Sequence, residues 1–140
     1  MNIIQIDNWR DYRRDGEQFL HTAKRAYDKK KKAFSTDTLY NVTCMAIEKL
    51  IMAFLMKNGD LAENHTMADL VRALRPHLGE IPELEEKLLY LDTFQEICSL
   101  ENFTIQLPTE EDVVKMLAIG EDVRTILHPY LYDQKSTVTQ

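Results

Sequence analysis

From residue 8 to residue 28, Trp9, Tyr12, Gly16, Phe19, Leu20, Ala23, Ala26 and Tyr27 recur at three- and four-residue spacing. That period predicts an amphipathic helix, with Asp7 placed to cap it and Gly16 on the inner stripe, where a second helix can approach closely. The run Lys29 to Lys32 ends the pattern, and Ser35-Thr36-Asp37 supplies N-cap side chains for a second helix over about 37–58. Its stripe is Leu39, Val42, Ala46, Ile47, Leu50, Phe54 and Leu55, and Met45, Ile51, Met52 and Met56 widen it nearly all round. A helix apolar on every side is central or lies in an interface.

Asn58-Gly59-Asp60 reads as the stop, because Gly59 suits the left-handed position after a helix. Thr66 with Asp69 resembles a capping box and opens a third helix carrying Met67, Leu70, Val71 and Leu74, which Pro76 and Gly79 are expected to close. A fourth helix begins at Pro82, with Glu83, Glu85 and Glu86 at its positive end, and fades near Leu100. Residues 101–108 suit a short extended segment. Pro108-Thr109-Glu110-Glu111-Asp112 then starts a fifth helix through Val113, Met116, Leu117, Val123, Ile126 and Leu127, which Pro129 is expected to end or kink, although Tyr130 and Leu131 continue the stripe for one more turn if the chain stays helical. The expectation is an all-α antiparallel up-and-down bundle of about five helices over residues 1–132, followed by a flexible polar tail at 133–140.

Composition agrees with this pattern. The 140 residues are 44% hydrophobic and 29% charged, with four Gly and four Pro, which favours long helices over turn-dense strands. Cys44 and Cys98 lie in separate apolar stretches with no CxxC or Cys/His cluster, so both are expected to be buried, reduced thiols. The N-terminus has no leader pattern, and the most apolar window, Val42 to Met56, is short and carries Glu48 and Lys49. These features lead us to expect a cytoplasmic protein without a membrane span. No Walker loop, GxGxxG, HExxH or GxSxG pattern occurs, so no metal or cofactor is expected.

Charge is unevenly placed. The net value is −6, but residues 1–35 carry nine Lys/Arg against five Asp/Glu, while the remainder carries eight against eighteen. This suggests a local basic patch on an otherwise acidic surface.

The segment Leu39 to Leu74 supplies a more specific cue. Ala46-Ile47-Glu48-Lys49-Leu50 lies in an apolar helix, Lys57-Asn58-Gly59 stops it, and His65-Thr66-Met67 opens a helix containing Leu70. This cadence resembles that of HEPN domains, and the first helix and the start at Pro108 resemble them in order and spacing. The resemblance implies a helical bundle that dimerises and acts with RNA or nucleotides. Some members are RNA-cleaving toxins or defence proteins; others partner a small nucleotidyltransferase.

The family's ribonuclease motif is an Arg followed by four to six residues and a His, which steady and protonate phosphate oxygens. Arg124 and His128 lie in the expected helix with only three residues between them, about 40° apart on one face. Arg72 and His77 have four residues between them, but Pro76 stands just before the His. The bland reading of Arg124 and His128 is a surface Arg and a helix-end His facing the C-terminal dipole. Lys29, Lys30, Lys31 and Lys32 are a candidate polyanion contact or a solvated turn. His65 is expected to brace the loop, Glu48 to make an inter-helix contact, and Lys49 to reach solvent. The departure from the motif points to a non-catalytic or weakly catalytic interaction module, expected as a homodimer because the Met-rich second helix exceeds one bundle face. The alternatives are a metal-independent ribonuclease using Arg124 and His128, and a nucleotide or small-molecule binding bundle.

Overall fold

The computed structural model describes residues 5–29, 34–96 and 107–133. Among them are five helices and no strand: α1 Trp9–Asp28, α2 Thr36–Lys57, α3 Met67–Leu78, α4 Pro82–Glu96 and α5 Glu110–Leu131. The expected bundle is present. The predicted reach of the fourth helix to Leu100, the segment 101–106, Cys98 and the tail beyond Asp133 lie outside the described residues.

Helix starts follow local chemistry in three cases. The Ser35 hydroxyl accepts from Thr38 N at 3.2 Å, and Thr66 accepts from Asp69 N at 3.2 Å. Thr109 and Asp112 form a reciprocal capping box. The start of α3 is reinforced from α4, because the Asp92 carboxylate accepts from Met67 N and Ala68 N, each at 3.1 Å. These bonds satisfy amide donors that a helix start leaves unpaired.

The start of α1 departs from expectation. Its N-cap is Asn8, in the left-handed region at φ 65°, and no side chain caps it; Asp7 is exposed. A tertiary contact sets this geometry. Ile6 N donates to Met56 O at 2.8 Å, which pins the entering chain to the end of α2, and Asn8 tolerates the sharp turn that follows. Pro76 also fails to close α3. It lies on the exposed side, where the missing amide costs little packing, and the helix runs on to Leu78 before Gly79 at φ 75°. Beyond Pro129 the chain stays helical through Tyr130 and Leu131, the alternative that the apolar stripe left open, and α5 ends at Leu131.

The centre of the bundle is α2, which packs against α1, α5 and α3, while α4 covers α3 and α5. Every residue from Leu50 to Lys57 is buried, including Met52 and Met56 at 4% exposure each. The apolar surplus of α2 is therefore absorbed inside one chain. Only Met45 of its methionines is exposed, so this surplus does not call for a dimer. By length and composition the 22-residue α2 could cross a membrane, unlike the shorter window read from sequence, but most of that helix is buried by its neighbours. Gly16 lets α1 approach: a Cβ there would lie 2.8 Å from Leu50 Cγ and 3.1 Å from Ala46 O. Cys44 is free and half-buried.

Candidate functional site

Arg124 and His128 occupy neighbouring turns of α5, yet their side chains are engaged differently. Arg124 Nε donates to Glu17 Oε2 at 2.8 Å across to α1, and its Nη1 lies 3.8 Å from Glu121 Oε2. The hydrogen bond from Arg124 to Glu17 and the adjacent carboxylate charge raise the guanidinium pKa further. His128 is exposed and stacks on Tyr132, with ring centroids 4.6 Å apart. Arg124 is thus held by acids, and His128 by an aromatic ring.

The other predicted pair separates in the same way. Arg72 donates to Asp69 on its own helix at 2.9 Å, whereas His77 Nε2 lies 2.9 Å from Asp60 Oδ2 and packs edge-on to Phe54. The His77 contact lowers the Asp60 pKa. Lys29 is exposed, and Lys30, Lys31 and Lys32 lie outside the described residues. His65 does brace its loop, through its contact with Glu48 of α2. Lys49 corrects the expectation of a solvent-directed chain. Its ammonium lies over the Tyr12 ring at 4.3 Å and 3.9 Å from Asp15, because α1 runs alongside this face of α2.

A different set converges where the start of α1 meets the ends of α2 and α5. Trp9 is buried at 4% exposure, with Arg10 Cζ 4.5 Å, Arg13 Cζ 5.1 Å and Lys57 Nζ 5.1 Å from its ring centroid. Arg13 also lies over Tyr132 at 4.4 Å, so that Trp9, Arg13, Tyr132 and His128 form a continuous series of contacts. Two backbone acceptors fix the cations. Arg13 Nη1 donates to Leu131 O at 2.7 Å, and Lys57 donates to Tyr130 O. Both carbonyls belong to the last turn of α5, the negative end of its dipole.

Arg14, Lys24, Arg72, Arg75, Lys87 and Arg124 are each paired with a carboxylate. Arg10, Arg13 and Lys57 are instead in contact with rings and carbonyls. Burial lowers the Lys57 pKa; the charge of Asp133 opposes that shift, and those of Arg13 and Arg10 add to it. The Trp9 indole N–H has no acceptor among the described residues. Sequence reading missed this cluster, although Trp9, Arg10 and Arg13 share the first turns of α1 and Lys57 stands in the Lys-Asn-Gly stop.

The grooves lined by described residues are small. One between α1, α2 and α5 holds about 150 Å³, with Tyr27, Phe34, Leu39 and Val113 among its walls. Another, between α1 and α5, holds about 220 Å³ beside Tyr27, Val114 and Ala118. Both are below the roughly 300 Å³ at which ligand pockets usually begin.

A family model described as HEPN domain matches residues 9–129, from the first residue of α1 to Pro129 in α5. No curated protein and no solved structure matches the chain.

Proposed function

The chain belongs to the HEPN domain family, a nucleic-acid-related module in general terms, and from that premise we propose that it is an interaction module with weak or no ribonuclease activity. It acts, on this reading, in the cytoplasm beside a nucleotidyltransferase-type protein or another component of a nucleic-acid or defence system. The observation that carries the proposal is the capture of Arg124 by Glu17. A phosphate-clamping Arg must offer its guanidinium to the substrate, and here a carboxylate already accepts from it. The three-residue gap to His128 supports the same reading.

The test is cleavage of structured and single-stranded RNA by purified protein in chelator, comparing wild type with Arg124→Ala and His128→Ala. The expected result is slow or undetectable cleavage by all three. Robust wild-type cleavage abolished by both changes, with helicity intact by circular dichroism, would establish the ribonuclease instead.

The proposed assembly is a homodimer. Its support is the exposed Val114 and Ala118 beside Tyr27 on the α1–α5 face, rather than the buried methionines of α2. Light scattering at micromolar concentration should give twice the 16.4 kDa chain mass, and a monomer throughout would remove this part of the proposal.

A further inference from the structure

We draw no further inference here: the strongest candidate, the apolar groove where the end of α1 meets the starts of α2 and α5, with Tyr27, Phe34, Leu39 and Val113 among its walls, carries nothing, because nothing in the structure shows what covers it.

Discussion

Gly16 offers the sharpest test of how the centre of the bundle is packed. A methyl group added there would lie 2.8 Å from Leu50 Cγ, 2.9 Å from Leu50 Cδ2 and 3.1 Å from Ala46 O. Leu50 is fully buried, so its branch point has no solvent side to move towards, and the Ala46 carbonyl is backbone. Overpacking of this kind costs about 1 to 3 kcal/mol. Replacing Gly by Ala inside a helix returns about 1 kcal/mol through propensity. Gly16→Ala should therefore destabilise the protein by up to about 2 kcal/mol, lowering Tm by up to roughly 8 °C. Gly120→Ala provides the contrast. Its methyl would meet the terminal Leu20 Cδ1 at 2.7 Å and Thr43 Cγ2 at 3.6 Å, so a side-chain end gives way and the cost should stay within about 1 kcal/mol of zero.

The assay is urea denaturation followed by far-ultraviolet circular dichroism, run as a cycle with Leu50→Ala. That change alone should cost about 2 to 5 kcal/mol by leaving a cavity. In its background the Gly16 methyl loses its main obstacle, so Gly16→Ala should become neutral or stabilising, a coupling of about 1 to 3 kcal/mol. Identical costs for Gly16→Ala in both backgrounds would refute the claim that Leu50 sets the α1–α2 distance. So would a stabilising Gly16→Ala in the wild-type background.

Two further outcomes follow from individual side chains. Asp112 accepts from Thr109 N, which holds its pKa below the ordinary 3.8, and its Tyr90 contact adds to this. Its folded pKa is depressed, so its stabilisation is complete above that ordinary value and is lost as pH falls through the depressed one. Asp112→Asn should cost about 1 kcal/mol near neutrality by urea denaturation, with the difference shrinking in acid; a difference that grows in acid would reverse the sign argued here. Burial pushes the Cys44 thiol up to about 12, so in a Cys98→Ser background iodoacetamide should modify it far more slowly in native protein than in urea. Equal rates in the two states would show that the thiol is open.

Much of the fold was legible because its decisive signals are local. Ser35, Thr66 and Thr109 cap helices with their own side chains, so three residues of sequence suffice to read each start. The start of α1 depends instead on Ile6 reaching Met56, a contact that no short window contains. Pro76 was misread for a related reason. The cost of a proline within a helix depends on which side it faces, and that follows from docking against α2 and α4. The methionines of α2 point the same way: their pattern announces burial, but not whether the burying surface is α1, α3, α5 or a second copy.

The site was less legible, because the motif search followed one helix at a time while the charge converges between three. Arg124 and His128 are neighbours on α5, yet Glu17 of α1 takes the arginine and leaves the histidine with Tyr132. The cationic end combines residues 9 to 13, residue 57 and residue 132, which come together only when α1, α2 and α5 are docked. The sequence charge count did register an excess of positive residues in the first 35, but the Lys run dominated that count. A count of charges also cannot distinguish a lysine facing a carbonyl from one facing a carboxylate. Arg13 and Lys57 face carbonyls at the end of α5, with the charge of Asp133 also acting on Lys57, whereas Arg14 and Lys24 face carboxylates, so equal formal charges are met in different ways.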